Sequence, residues 1–219
     1  ILQLFTRSDG FQKGTKRFFL STLISFIGMG FFGIPLSMLF SQEFGLPSSY
    51  VFTLFLLQHI GIAVAYPFAT RRIRKRGNRY VQMVALWLRG GLFAGFGAYL
   101  ALFNQVPSQA VLVSGFVLYG ITWSSFQLSG VSLTSRLARE ENRGLALGLY
   151  NAIAGLGWIL AGLGGGLMAE HVGYGATFMT AGALLMISLI VLLFVPSPSR
   201  AVRGTAHGRP AASVGPRVR

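Results

Sequence analysis

Six blocks of about 20 consecutive apolar residues constrain this chain more than any other feature of its sequence. A helix of that length crosses the roughly 30 Å hydrocarbon layer of a membrane. We place the blocks at 18–40, 49–70, 81–103, 110–132, 144–169 and 174–195. Because a backbone in lipid must satisfy its hydrogen bonds internally, the sequence predicts an all-α membrane protein with six transmembrane helices.

The basic residues predict how these helices are oriented. Eighteen of the 19 Lys and Arg residues lie before the first block, after the second, after the fourth or in the tail. The loops 41–48, 104–109 and 170–173 hold none. This positive-inside pattern predicts that both termini face the cytoplasm. It also favours anionic lipid headgroups as partners, and it argues against nucleic-acid binding because the basic runs lack interleaved aromatic residues.

We divide the chain into a cytoplasmic lead-in (1–17), a six-helix bundle (18–195) and a basic tail (196–219) that we expect to be disordered. Since the chain opens at Ile1, we expect a further segment to precede it. The sequence has no cysteine, which excludes disulfides and thiolate metal sites. It also has no phosphate loop and no carboxylate or histidine cluster, so we expect no metal, no cofactor and no catalytic residue.

Glycines crowd the fifth block, and five of them fall on one stripe of a helix. Small residues at such spacing allow two membrane helices to approach until their backbones touch. The stripe predicts a helix-packing seam, either static or one along which helices slide. It comprises Gly144, Gly148, Gly155, Gly162 and Gly166.

The fifth block and its flanks carry a resemblance to the major facilitator superfamily of secondary transporters. Gly148, Gly157, Ala161, Gly162 and Gly165 are similar to the glycine motif of that family's fifth helix and of its pseudo-repeat, the eleventh. Ala161 and Gly162 stand where the fifth helix has glycine and proline, which suits the eleventh helix better. The stretches 141–144 and 170–174 resemble the loops into the eleventh and twelfth helices.

A second landmark of the resemblance is a dense basic segment at the position of the family's short loop between helices eight and nine. Aligned on Gly77, the family's leading glycine falls at Thr70 and its acidic residue at Arg74. The basic residues of this loop are Arg71, Arg72, Arg74, Lys75, Arg76 and Arg79.

The resemblance implies that the chain is the C-terminal six-helix half of a twelve-helix transporter. Each half of that fold is a 3+3 inverted repeat. Its function would then be transport of a small solute by alternating access, across the plasma or inner membrane, with an N-terminal half or a second copy as partner. The first, second, fourth and fifth helices would line the cavity, and the third and sixth would lie on the periphery.

Polar and aromatic residues inside the blocks are candidates for the cavity wall, since polar groups at membrane depth face protein or water. Interhelical packing remains the alternative for each of them. For Gln127 and Asn151 we predict a mutual hydrogen bond, because they lie at similar depth. The candidates are Gln58, His59, Tyr119, Trp123, Gln127, Asn151 and Trp158.

Arg89 is the only Lys or Arg inside a block. On a peripheral third helix we expect its long side chain to snorkel toward the headgroups, with anion binding as the alternative. Pro35 and Pro67 also lie within blocks, where each can kink its helix or mark a point of flexing.

Two other function classes compete with transport. A six-span scaffold or receptor that moves nothing fits the same spans, and a closed, fully packed bundle would favour it. An intramembrane serine protease of the rhomboid type is a distant third, because the stretch 130–133 lacks the final glycine of that motif.

Overall fold

The computed structural model describes residues 14–103 and 105–195 and contains all six predicted helices. A π-helical turn, Leu39–Glu43, extends the first, and a 3-10 turn, Glu140–Asn142, precedes the fifth. Each helix is long and apolar enough to cross a membrane, so the chain is an all-α multi-pass membrane protein. The predicted tail and residues 1–13 of the lead-in lie outside the described residues. The helices are α1 Thr15–Met38, α2 Ser48–Arg76, α3 Asn78–Phe103, α4 Gln109–Leu137, α5 Arg143–His171 and α6 Tyr174–Leu193.

The basic segment after the second block is helical, so the prediction of a loop beginning at residue 71 was wrong. α2 continues to Arg76 and α3 begins at Asn78, which leaves only Gly77 between them. Long basic side chains reach water from a helix that extends past the hydrocarbon, so hydropathy alone placed the helix end too early. Gly77 has a φ of 87°, a conformation that glycine adopts far more readily than other residues.

Gly77→Ala is expected to lower the free energy of unfolding by about 1 kcal/mol or more, because the new Cβ is strained at positive φ. Within the described part of the chain nothing lies within 4 Å of a Cβ placed there, so the effect is conformational. Gly91→Ala is the matched control, since Gly91 is equally open but lies inside α3. Because alanine is a better helix former than glycine, Gly91→Ala should raise the free energy of unfolding by up to about 1 kcal/mol. Thermal unfolding of the full-length protein in detergent compares the two, and equal melting temperatures would contradict the prediction.

The helix pairing follows the predicted 3+3 inverted repeat. α3 packs against α6 and α4, α2 packs against α4, and α1 packs against α5 and α6. The repeat relates α1, α2 and α3 to α4, α5 and α6 in that order. Under this relation the α1–α5 pair corresponds to α4–α2 and the α1–α6 pair to α4–α3, while the α3–α6 pair corresponds to itself. Because three is an odd number of crossings, the second triplet runs through the membrane inverted relative to the first.

α1 lies at the centre of the bundle, and a larger share of its apolar span is buried than of any other helix. Phe32 of α1 stacks on Phe93 of α3 with ring centroids 3.9 Å apart. Its ring also contacts Tyr119 of α4 and Phe178 of α6, at 5.6 and 4.8 Å. Since an aromatic pair adds about 0.5–1.5 kcal/mol to the gain from burial, this cluster holds three helices around α1.

The basic ends of the helices meet at one end of the bundle. Arg17 at the start of α1 donates a hydrogen bond to the carbonyl oxygen of Phe194, just after α6, at 3.2 Å. Asn78 at the start of α3 donates to Ser132 Oγ near the end of α4 at 2.8 Å. The charge asymmetry of the sequence is therefore an asymmetry of the folded bundle, while the side of the membrane that this end faces remains a prediction.

Candidate functional site

Arg89 is fully buried near the middle of α3, about 16 Å along the helix from its first residue. Its Nη1 atom donates to the carbonyl oxygen of Tyr119 at 3.0 Å and to Thr122 Oγ1 at 3.3 Å, both on α4. The guanidinium carbon lies over three aromatic rings, at 4.4 Å from Tyr119, 5.2 Å from Trp123 and 5.3 Å from Phe93. The π faces of these rings attract the cation.

The charge of Arg89 is only partly compensated within the residues that the structure describes. Its Nε and Nη2 atoms are buried and have no hydrogen-bond partner there. No carboxylate of residues 14–103 or 105–195 pairs with it, and the single ion pair found there joins Arg143 to Glu140 at an exposed turn. A buried cation without a counter-ion costs several kcal/mol of desolvation, which marks Arg89 as a candidate functional residue.

The predicted snorkelling of Arg89 was wrong. α3 is packed between α4 and α6 at this depth, and the side chain of Arg89 points into the α3–α4 interface rather than along the lipid surface. Its surroundings are the ring of Phe93, one turn along α3, and the rings of Tyr119 and Trp123 on α4. The two rings from α4 reach Arg89 only through the tertiary fold, so the pattern of α3 alone does not predict them.

Two of the aromatic candidates come together on α1. A Cβ placed on Gly33 would lie 3.3 Å from Tyr119 Oη and 3.6 Å from Trp158 Cη2, so these side chains from α4 and α5 flank the same glycine. Tyr119 is buried and Trp158 is half-buried. Trp123, one turn along α4 from Tyr119, packs on Phe26 and Phe126 as well as on Arg89. Tyr119 and Trp123 are thus part of the same cluster as Arg89.

Gln58 and His59 are neighbours in α2 but lie in different environments. Gln58 is buried where α2 meets Gly120 of α4, and its Oε1 atom has no partner among the described residues. His59 is exposed, and its Nδ1 atom lies 2.7 Å from the carbonyl oxygen of Phe55. Only His59 is therefore available at the surface of this bundle.

The hydrogen bond predicted between Gln127 and Asn151 does not form. The Oε1 atom of Gln127 is buried and has no partner in the described part of the chain. Asn151 is exposed on α5. α4 and α5 make few contacts, because both pack mainly against other helices, α2 and α1 respectively.

α5 presents three faces, each about a third of a turn from the next at 100° per residue. The buried face comprises Ala146, Tyr150, Gly157, Ala161, Gly165 and Ala169. The face with small side chains comprises Gly144, Gly148, Asn151, Gly155, Gly162 and Gly166. The third face carries large aliphatic side chains, exposed at Leu145, Leu156, Leu160, Leu163 and Leu167.

The close packing inside the bundle uses the buried face of α5, not the predicted glycine stripe. A Cβ on Gly157 would lie 2.6 Å from Phe26 Cβ, and one on Gly165 would lie 3.1 Å from the Cα of Phe31. Of the five stripe glycines, only Gly162 has an atom of another described helix within 4 Å of such a Cβ, namely Ile34 Cδ1 at 3.6 Å. A packing role of the stripe therefore concerns a surface outside the described residues.

Sequence reasoning missed a set of buried polar residues on the face of α3 that carries Arg89. Asn78, Gln82 and Arg89 recur at intervals of four and seven residues, which places them on one side of the helix. Asn78 Oδ1 and both polar atoms of the Gln82 side chain lack partners among the described residues. The helical spacing of these three residues was the available signal.

Two further features bear on what the bundle can hold. A cavity of about 340 Å³ opens between α1, α3 and α4, and its walls are almost entirely apolar, including Phe32, Phe96, Phe116 and Tyr119. Within residues 14–103 and 105–195, no three His, Asp or Glu side chains come together as they would to bind a metal ion. The cavity therefore offers hydrophobic contact rather than polar chemistry.

Comparison with known proteins adds two findings. The family model of the Major Facilitator Superfamily matches residues 18–218 of this chain. The chain is also 30% identical, over 121 residues, to an uncharacterised MFS-type transporter of Methanocaldococcus jannaschii. That alignment covers 55% of this chain and spans 28% of the length of the relative.

Proposed function

Because the chain belongs to the major facilitator superfamily, we propose that it forms the C-terminal six-helix half of a secondary active transporter that moves a small solute by alternating access. In this proposal the protein lies in the plasma or inner membrane, and its basic end faces the cytoplasm. It performs no catalysis. Its partner is a second six-helix half, either an N-terminal segment or a second copy.

The observation that carries this proposal is the division of the exposed surface of α5 into two unlike faces. A helix that only met lipid would expose large aliphatic side chains over its whole outer surface. α5 does so on the face of Leu156 and Leu163, and on the other face it exposes glycines and Asn151, with the exposed Ile159 at the boundary between the two. Polar and small groups at membrane depth favour contact with protein or water over lipid. We therefore assign this second face to the cavity between the two halves.

His59 supports the same arrangement from α2, where it is an exposed histidine near the middle of that helix. Arg89 and its aromatic neighbours lie behind the cavity wall, between α3 and α4. Trp158 extends from α5 toward Gly33 of α1 and closes the wall on the inner side. A small solute in the cavity would then meet His59 and Asn151 as its polar contacts.

Thiol labelling tests which face of α5 meets water. Asn151→Cys and Gly155→Cys lie on the face assigned to the cavity, and Leu156→Cys is the control, adjacent in sequence and 48% exposed in this bundle. The chain has no cysteine of its own, so any cysteine elsewhere in the full-length protein is replaced by serine. A charged, membrane-impermeant thiol reagent should modify the first two variants and spare Leu156→Cys.

The sidedness of labelling separates transport from a static protein. Each cavity cysteine should react with reagent applied to either side of sealed vesicles, because alternating access exposes the cavity to both sides in turn. Reaction from one side only would indicate a fixed cleft, as in a receptor. Protection of both positions would indicate a packed scaffold, and labelling of Leu156→Cys as well would remove the distinction between the faces.

A further inference from the structure

A second cavity, of about 600 Å³, lies between α2, α3 and α4 at the basic end of the bundle. We call it the basic groove. Its mouth is formed by Arg72, Lys75 and Arg76 of α2 together with Tyr80 of α3. Its wall runs inward along Val81, Val84, Ala85 and Leu88 of α3 and Leu118, Ile121, Thr122 and Ser125 of α4.

The mouth carries three positive charges and no negative one among its lining residues. Arg76 is held in place there, since its Nη1 atom donates to the Tyr80 hydroxyl at 2.7 Å and its guanidinium lies 5.2 Å from the ring centroid. Arg72, Lys75 and Arg76 are all exposed. The mouth therefore attracts an anion and fixes the position of at least one of the cations that would bind it.

The wall of the basic groove is apolar in effect, although it includes two hydroxyl groups. Thr122 Oγ1 donates within its own helix, 2.9 Å from the carbonyl oxygen of Leu118 and 3.0 Å from that of Tyr119. Ser125 Oγ donates to the carbonyl oxygen of Ile121. Since these hydroxyl donors are already used, the wall suits a hydrocarbon chain better than a polar solute.

The depth of the basic groove fits one leaflet. Val81 and Leu88 are seven residues apart, which is about 10 Å along α3, and half of the hydrocarbon layer is about 15 Å thick. Charged residues lie at the end of the helices and apolar residues continue toward the middle of the membrane. This order of charge and hydrocarbon is that of a phospholipid in the leaflet at the basic end.

We propose that the basic groove binds one anionic phospholipid, with its headgroup phosphate between Arg72, Lys75 and Arg76 and one acyl chain along the α3–α4 wall. The three cations, Lys75 and Arg76 with Arg72 one turn earlier, complement the negative charge of a phosphodiester whose headgroup carries no compensating cation. A zwitterionic lipid offers the same chain but no net charge, so the basic groove discriminates by headgroup.

Native mass spectrometry of the full-length protein, delipidated in detergent and titrated with lipid, tests the proposal. The probes are phosphatidylglycerol, phosphatidylcholine and inorganic phosphate. The test variant combines Arg72→Gln, Lys75→Gln and Arg76→Gln. The matched control combines Arg136→Gln, Arg139→Gln and Arg143→Gln, which removes the same charge from another basic loop. Both variants should remain monodisperse, because the substituted side chains lie on the surface.

The wild-type protein should bind one phosphatidylglycerol more tightly than any phosphatidylcholine. The groove variant should lose roughly a hundredfold in that affinity, because three cations near the membrane surface contribute about 1 kcal/mol each. The control variant should lose clearly less. An equal loss in both variants would mean general electrostatic attraction, and equal affinity for phosphatidylcholine would remove the headgroup preference. Either result overturns the proposal.

The acyl-chain part is tested with Val84→Trp, which fills the wall of the basic groove at a half-buried position. Ile190→Trp, at an exposed position on α6, is the control. Val84→Trp should weaken phosphatidylglycerol binding and Ile190→Trp should leave it unchanged. Equal binding of phosphatidylglycerol by the two variants overturns the placement of the acyl chain along the groove wall. Displacement of the lipid by inorganic phosphate would show a free-anion site and overturn the lipid proposal.

Discussion

Arg89→Met is expected to leave the protein at least as stable as the wild type, or to stabilise it by about 1–4 kcal/mol, while transport falls by an order of magnitude or more. Methionine has a similar length and no charge, so the substitution removes a buried cation that has no counter-ion among the described residues. The acceptors of Arg89 remain satisfied, since the carbonyl oxygen of Tyr119 still receives the Thr122 hydroxyl at 3.0 Å. Stability is measured by thermal unfolding of the full-length protein in detergent.

Transport is measured as uptake into proteoliposomes of a solute identified by screening. Leu86→Met is the control, because it also places a methionine at a fully buried position of the same helix. It should lower the free energy of unfolding by less than about 1.5 kcal/mol. If Arg89 instead holds α3 to α4 through its hydrogen bonds and ring contacts, Arg89→Met will unfold at a clearly lower temperature than Leu86→Met. Unchanged transport would remove Arg89 from the functional residues.

Gly97→Val is expected to destabilise the bundle by about 3 kcal/mol or more. A Cβ at this position would lie 2.6 Å from the backbone nitrogen of Met179 and 2.7 Å from the carbonyl oxygen of Gly175, both on α6. These atoms belong to the backbone of a helix and cannot move separately. The same two helices are equally close further along, where a Cβ on Gly182 of α6 would lie 2.8 Å from the carbonyl oxygen of Gly90 of α3. The valine must therefore push α3 and α6 apart along their whole crossing.

Gly95→Val is the matched control, two residues earlier on the same helix. Among the described residues, no atom of another helix lies within 4 Å of a Cβ at Gly95, which lines the apolar cavity between α1, α3 and α4. Valine there should be neutral or slightly stabilising, because glycine is a poor helix former. The two variants are compared by thermal unfolding and by the fraction of monodisperse protein. Similar values for both would mean that the α3–α6 crossing is not as close as described.

The number and position of the helices could be predicted because hydrocarbon permits few alternatives. Each apolar block had to become a helix, and the blocks at 81–103 and 174–195 match α3 and α6 to within three residues at either end. The end of α2 was the largest error. Residues 71–76 are charged, and hydropathy cannot tell a basic loop from a basic helical turn that extends into the headgroup region.

The candidate site was predictable only in part. The spacing of Tyr119, Trp123 and Gln127 placed them on one side of α4, and Trp123 does face the interior cluster. The prediction of a hydrogen bond between Gln127 and Asn151 was wrong, because two residues at similar depth in the membrane need not lie on neighbouring helices. Contact depends on which helices pair, and that pairing is a property of the whole bundle.

The sequence by itself determined six membrane-spanning helices and the gathering of basic residues at one end, because length, hydropathy and charge act locally along the chain. The resemblance to a transporter family came from the glycine motif of the fifth block and its flanks. Only the tertiary structure decided that Arg89 is buried and that Gly157 and Gly165, not Gly155, form the seam with α1. α5 has small residues on more than one face, so the choice depends on which of them meet Phe26 and Phe31 of α1. Such complementarity arises between helices and is absent from either helix alone.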